Sequence, residues 1–322
     1  ALKWMCWARR RAGAGPVILV AEGEHHATIE AAEWLRDAQG AEVRWLPIDG
    51  EGVLHPHTLR EAIASCGAEN VALASFLWAN NEVGSVLPVA ALTEVARAAG
   101  IPVHVDAVAA LGQVPIDAHA SGAAALSVSA HKIGGPVGMG ALVLGRSFQA
   151  DPLLHGGAQQ RARSGTQNVA GAVAFAAALE RVIGAPDAPP TQPRPAHVAR
   201  LAELRNRLIA GVQDRVPDAA LRGSDPHTNR LPGNAHFTFP GCQGDSLVFL
   251  LDAVGVSVSV GSACQAGVAE TSHVLLAMGV PEAVAAGALR FTLGDSSTEQ
   301  EIDALLDALP TAVERARLAG LS

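Results

Sequence analysis

The 322 residues are 49% apolar and 17% charged, which describes a folded globular chain long enough for two domains. A formal net charge of −8 excludes a partner held by bulk positive potential, so neither nucleic acid nor a membrane surface is indicated. The alanine-rich runs are broken by Asp, Glu, Arg or His before they reach the length of a spanning helix.

Arg9-Arg10-Arg11 ahead of Val17-Ile18-Leu19-Val20 has the charge order of a targeting peptide. The apolar run is too short for one and leads straight into folded sequence, so Val17 to Ala21 is expected to be a strand. Ala27 to Gln39 then reads as a helix, Val43 to Ile48 as a strand, Leu59 to Ala64 as a helix and Val71 to Leu77 as a strand. Leu92 to Ala99 is helical with Gly100 as its stop; Val103 to Val105, Ala125 to Ser129 and Ala141 to Leu144 are strands; Asn168 to Ile183 is a long helix. Such alternation predicts βαβ units, hence an α/β fold with a buried, mostly parallel sheet and helices on both faces. Ligands in these sheets sit at the carboxyl ends of strands.

The proline-rich stretch Ala-Pro-Asp-Ala-Pro-Pro-Thr-Gln-Pro-Arg-Pro from Ala185 to Pro195 reads as a linker. The predicted division is a large domain over 1–185, a linker over 186–196 and a smaller domain over 197–322. In the latter, Val198 to Val212, Leu247 to Asp252 and Glu299 to Leu318 read as helices, and His236 to Phe239 and Val256 to Val260 as strands.

The four cysteines, Cys6, Cys66, Cys242 and Cys264, are scattered with no Cys-x-x-Cys pair. That argues against a disulfide framework or zinc site and fits a reducing cytoplasm. Of 23 basic residues only Lys3 and Lys132 are lysines. Arginine can carry a surface charge or ion pair, but a Schiff base needs an amine.

Lys132 lies in Ser129-Ala130-His131-Lys132, after a strand and before a glycine-rich turn. An amine there, in a partly dry cleft, suits imine formation with an aldehyde cofactor, with Ser129 and His131 available to a phosphate; a surface lysine on a loop is the plain alternative. Asp106 closes the strand Val103-His104-Val105 among apolar neighbours, and a buried carboxylate needs a partner. A protonated ring nitrogen is one such partner; a helix cap or an arginine is another. Cys264 lies in Gly261-Ser262-Ala263-Cys264-Gln265-Ala266-Gly267, small residues that permit the exposure a nucleophilic thiol requires, though a lone cysteine is usually inert.

These segments, with Asn80-Asn81-Glu82-Val83-Gly84 and Arg163-Ser164-Gly165-Thr166, follow one another in an order that resembles the cysteine desulfurases of the class V aminotransferase superfamily. The resemblance runs from about Val17 to Leu305, and the Gly-Ser-Ala-Cys loop resembles the branch with a long, mobile catalytic loop. It implies the fold of type I pyridoxal-phosphate (PLP) enzymes with a smaller α+β C-terminal domain. It also implies that L-cysteine is converted to alanine and an enzyme persulfide, for iron–sulfur cluster assembly or tRNA thiolation.

By the same resemblance, Lys132 holds the cofactor and moves protons at the substrate α-carbon. Asp106 pairs with the ring nitrogen, Asn81 with the ring hydroxyl and substrate, and His25 stacks on the ring as an acid–base group. Ser129 and His131 contact the phosphate. Thr166 contacts it from a second subunit, which implies a homodimer. Arg290 clamps the substrate carboxylate, and Cys264 attacks the substrate sulfur and hands it to an acceptor, an iron–sulfur scaffold or a tRNA-thiolation enzyme. No metal site is expected beyond a transient iron–sulfur ligand role for Cys264, and His26 and His104 are expected to be structural.

Two features depart from the family. Ala109 stands where its members carry a glutamine near the ring hydroxyl, a hydrogen bond worth about 1 kcal/mol that Asn81 can replace. The family's N-terminal segment with its Gly-Ala-Thr phosphate loop has no counterpart, so Ala1 to Arg10 is expected to lie inside the helix that follows that loop, leaving the chain truncated. The alternative readings are a related class V lyase or aminotransferase, and a truncated, non-catalytic partner-binding homologue.

Overall fold

The computed structural model describes residues 1–146, 148, 154–156, 163–183, 194–261 and 271–319. The chain forms two compact units. The first comprises Ala1–Pro47, Leu54–Trp78 and Leu87–Arg194; the second comprises Ile48–Val53, Ala79–Val86 and Pro195–Ser322. Most of the proline-rich stretch, 185–193, lies outside the described residues; its last proline, Pro195, opens a helix.

In the first unit the strands are β1 (Val17–Ala21), β2 (Glu42–Leu46), β3 (Val71–Leu77), β4 (Val103–Asp106), β5 (Ala125–Ser129) and β6 (Gly140–Leu144). They form one sheet in the order β2-β1-β3-β4-β5-β6. The pairs from β2 to β5 are parallel and β6 joins antiparallel to β5. Every residue of β1 and β3 is buried, as strands covered on both faces must be, and their Val/Ile/Leu/Ala/Phe content follows from that. The helices are α1 (Leu2–Arg11), α2 (His26–Gln39), α3 (Pro56–Cys66), α4 (Val89–Ala98) and α5 (Val169–Ile183). Leu2, Met5 and Cys6 of α1 and Ala32 and Leu35 of α2 pack with Ile18, Val20 and Leu73, the alternate residues of one sheet face. Gly40, in the left-handed conformation, ends α2, and the Ala41 amide donates back to the Leu35 carbonyl.

The second unit holds α6 (Pro195–Arg215), β7 (Ala220–Arg222), β8 (Asn234–Thr238), α7 (Gly244–Asp252), α8 (His273–Ala277), α9 (Glu282–Ala285), β9 (Ala288–Thr292) and α10 (Glu299–Ala319). An antiparallel sheet, β7-β8-β9, packs with α6, α7 and α10 around Phe237, Phe239, Leu289, Leu208 and Leu309. The α/β first unit and the α+β second unit match the expected fold class.

Two expectations needed correction. Val256 to Val260 is not a strand: Gly255 and Gly261 take positive φ on either side, and only Ser259 bridges to Arg290. The partner of that bridge, β9, is a strand the sequence reading missed, because five residues with an arginine at the centre give a weak alternation.

Gly287 lies where α9 leads into β9, and a Cβ there would run into the carbonyl oxygen of Phe239, whose amide bonds the Gly287 carbonyl. Because the obstacle is backbone, Gly287→Ala should destabilise the chain by about 1–3 kcal/mol in urea unfolding with little change in slope.

Candidate active site

The carboxyl ends of β3, β4 and β5 lie side by side in the first unit, with Leu77 opposite Asp106 and Asp106 opposite Ser127. Asp106 ends β4, and its Oδ1 accepts the Val108 amide at 2.9 Å, which turns the chain away from the sheet. Burial raises the Asp106 pKa; the Val108 bond and the nearby His25 ring act in the opposite sense. His25 is the N-cap of α2, its Nδ1 accepting the Ala27 amide at 3.1 Å, which places the ring's proton on Nε2.

At the end of β5, Ser129 Oγ and His131 Nδ1 are 2.5 Å apart, so the two expected phosphate contacts are brought together as a hydrogen-bonded pair. Lys132 follows in a one-turn 3-10 helix, His131–Ile133, that stops at left-handed Gly134. It is exposed rather than set in a dry cleft. Ala109, where the family has glutamine, is half-buried in the turn after Asp106, and Thr166 is exposed beyond Gly165.

Beneath the site, His104 joins Ser75 of β3 (2.9 Å from Nδ1) to Ser127 of β5 (2.8 Å from Nε2), and burial pulls its pKa down to about 3. Its two rotatable hydroxyl partners satisfy a neutral ring, as expected of a structural histidine.

The sequence reading passed over Glu24, in the turn after β1. Its Oε1 accepts the Leu77 amide at 2.7 Å, and burial together with the charge on Asp106 pushes its pKa up to about 8. The signal available was a carboxylate placed immediately before a helix cap at a strand's carboxyl end.

The second unit gathers a different set. Asn80 Oδ1 accepts the amides of Glu82 and Val83, which builds the Asn80–Gly84 turn, and Asn234 Nδ2 donates to the Glu82 carbonyl at 3.0 Å. Arg290 on β9 donates to the Asn81 carbonyl at 3.0 Å and to the Gly261 carbonyl at 3.4 Å. Burial lowers its pKa while the charge on Glu82 opposes the shift. Glu82 in turn accepts from Ser272 Oγ at 2.5 Å. Gly261 sits at φ +85, and a Cβ there would lie 2.8 Å from Nε2 of buried His236, so glycine is required on both counts. Cys264, with the rest of 262–270, lies outside the described residues.

The residues of the first unit fit PLP. A desolvated carboxylate with raised pKa suits a protonated ring nitrogen, a serine–histidine pair suits a phosphate, and the adjacent exposed amine suits a carbonyl. Among the described residues no group of three or more His, Cys, Asp or Glu is placed to hold a metal ion, and no helix is long and apolar enough to cross a membrane.

A mostly parallel sheet flanked by helices with a smaller antiparallel sheet is the fold of the PLP-dependent type I enzymes, and the Aminotransferase class-V family profile matches residues 2–305. The chain is 48% identical to an IscS-like cysteine desulfurase of Mycobacterium tuberculosis, covering all of this chain and 80% of that protein. It is 38% identical to the cysteine desulfurase IscS of Dictyoglomus turgidum, over 94% of this chain and 73% of that one. Among solved structures, a NifS-like protein superposes with a TM-score of 0.82 at 30% identity, covering 98% of this chain and 79% of that one. The chain belongs to the class V aminotransferase family, and within it to the cysteine desulfurases.

His104 and His236 are both held neutral by burial, each with its pKa down at about 3 from 6.5. Unfolding lets them take up protons, so their contribution is present above pH 6.5 and is lost as pH falls toward 3. Chemical denaturation over that range should show stability falling with acid. His104→Leu should flatten part of the slope while costing about 1–3 kcal/mol at neutral pH through the stranded Ser75 and Ser127 hydroxyls.

Proposed function

We propose that the chain takes sulfur from L-cysteine, releasing alanine and leaving a persulfide on Cys264. The observation that carries this is the juxtaposition of half-buried Asp106 with the Ser129–Lys132 segment at the carboxyl ends of adjacent parallel strands. PLP, when bound, supplies an electrophilic carbonyl and an electron-withdrawing ring. Lys132 Nζ would hold that carbonyl and carry protons at the substrate α-carbon. Asp106 would hold the ring nitrogen and keep it charged, His25 would cover the ring, and Ser129 and His131 would donate to the phosphate. Asn81 would take the ring hydroxyl and the substrate.

Arg290 binds the substrate carboxylate, for which a planar guanidinium is the suitable fork. The Cys264 thiolate attacks the substrate sulfur. An S–S bond forms, the C–S bond breaks, and its electron pair stays with carbon, which takes a proton to become alanine. The outer sulfur of the persulfide then passes to an acceptor, an iron–sulfur scaffold or a tRNA-thiolation enzyme. A cytoplasmic setting suits this chemistry, because a catalytic thiolate needs a reducing compartment.

In this reading a PLP-binding domain runs up to about 185, and a smaller domain after the proline-rich linker carries Arg290 and Cys264. Thr166 reaches the phosphate of a second subunit in a homodimer. Support for that dimer comes from α5, which exposes Val169 at 67% and Val173 at 64% on a nearly charge-free helix, an apolar surface that a monomer would leave wet.

Purified with PLP, the protein should show the visible absorbance band of the lysine-bound cofactor, and Lys132→Ala should lose it; an unchanged band in the variant would sink the assignment. Cys264→Ala should keep the band and lose sulfide and alanine production from cysteine. Persistence of full sulfide release would favour a related lyase instead.

Val173→Arg places a charge on the exposed face of α5 and should shift the protein from dimer to monomer in sedimentation. Loss of cofactor affinity should accompany the shift, since Thr166 would no longer be contributed by a neighbour.

A further inference from the structure

Glu24 takes no part in the steps above, yet it is only 1% exposed. It stands one residue before His25, the cap of α2, and it accepts the amide of Leu77, the residue opposite Asp106 in the sheet. Thr28, in the first turn of α2, bonds the same carboxyl group. The side chain therefore ties the end of β3 to the start of the helix that presents His25. The titratable groups around it are Asp106, at the end of β4, which acts on it directly, and His25, which acts on Asp106.

Two carboxyl groups withdrawn from water at one strand edge do not both ionise, because each charge raises the cost of the other. Asp106 has the His25 ring and the Val108 amide to favour its charged form. The Leu77 amide and Thr28 favour the charged form of Glu24 in the same way, but burial and the charge on Asp106 outweigh them and push its pKa up to about 8, so the proton resides on Glu24.

We propose that Glu24 is a positioning residue for Asp106, a neutral carboxyl group that holds the β3 end against α2 and leaves the charge of this strand edge on Asp106, to meet the positive ring nitrogen one for one. The last clause rests on the reading of Asp106 given under the proposed function.

The test uses the full chain, first without cofactor. A folded-state value of about 8 against the ordinary 4.5 means that the folded protein keeps a proton the unfolded chain releases. The contribution is thus present below pH 4.5 and lost as pH rises toward 8. Glu24→Gln is neutral throughout and keeps an oxygen for the Leu77 amide, so its melting temperature should gain steadily on the wild type across that window. Parallel melting curves for the two proteins overturn the proposal.

A second arm titrates PLP by absorbance at neutral pH. Glu24→Ala, which strands the Leu77 amide and loosens the cap, should weaken binding about tenfold, and Glu24→Gln should restore most of it. Equal losses in both variants would mean that a charged Glu24 is required, and overturn the proposal. If Asp106→Asn binds PLP as tightly as the wild type, the reading of Asp106 fails and takes the cofactor role of Glu24 with it. That outcome is distinct from parallel melting curves, which bear on Glu24 alone.

Discussion

Asp106 ends β4 with its carboxylate largely withdrawn from water, and most of the polar architecture of the first unit is arranged around that withdrawal. A desolvated carboxylate is costly unless something positive or hydrogen-bonding meets it. The Val108 amide and the His25 ring meet part of the demand, and a cationic ring nitrogen would meet the rest. The same constraint explains the neutral neighbours: Glu24 keeps its proton, and His104 is buried between two serines with no charge to add. A polar strip that is hydrogen-bonded and nearly charge-free lets one carboxylate dominate the local field.

The second unit solves a related problem with opposite sign. Arg290 is pulled out of water, and carbonyls of Asn81 and Gly261 take its N–H groups while Glu82 supplies countercharge. Glu82 is itself fixed by Ser272, and Asn234 holds its backbone. A guanidinium with several directional donors can be bonded to carbonyls and still present a fork to a substrate carboxylate, which a lysine cannot do. The scarcity of lysine in the chain agrees with this, since arginine serves all but one of the other cationic positions, Lys3, and Lys132 remains where an amine is needed.

The parallel sheet was readable because β1, β3 and β5 are unbroken or alternating apolar runs bounded by turn residues, and their ends matched the structure. Asp106 and Lys132 stood out because the first closes such a run and the second comes three residues after one. β9 and the segment 256–260, which makes a single bridge and no strand, were misread because five-residue stretches with little alternation do not reveal which of two neighbours will form a strand. Glu24 was passed over because its meaning lies in the Leu77 amide, 53 residues away, and in a carboxylate on another strand.

By itself the sequence determined the class of fold, the order of the strand-end motifs and the chemistry available, since these depend on residue type and local spacing. Tertiary structure decided how the charges are distributed. Which acid keeps its proton, which histidine stays neutral and which carbonyls hold Arg290 depend on burial and on contacts between distant segments. For Asp106, sequence supplied a carboxylate at the end of a strand, and only the folded protein, by desolvating it beside a protonated Glu24, made it a charge in need of a partner.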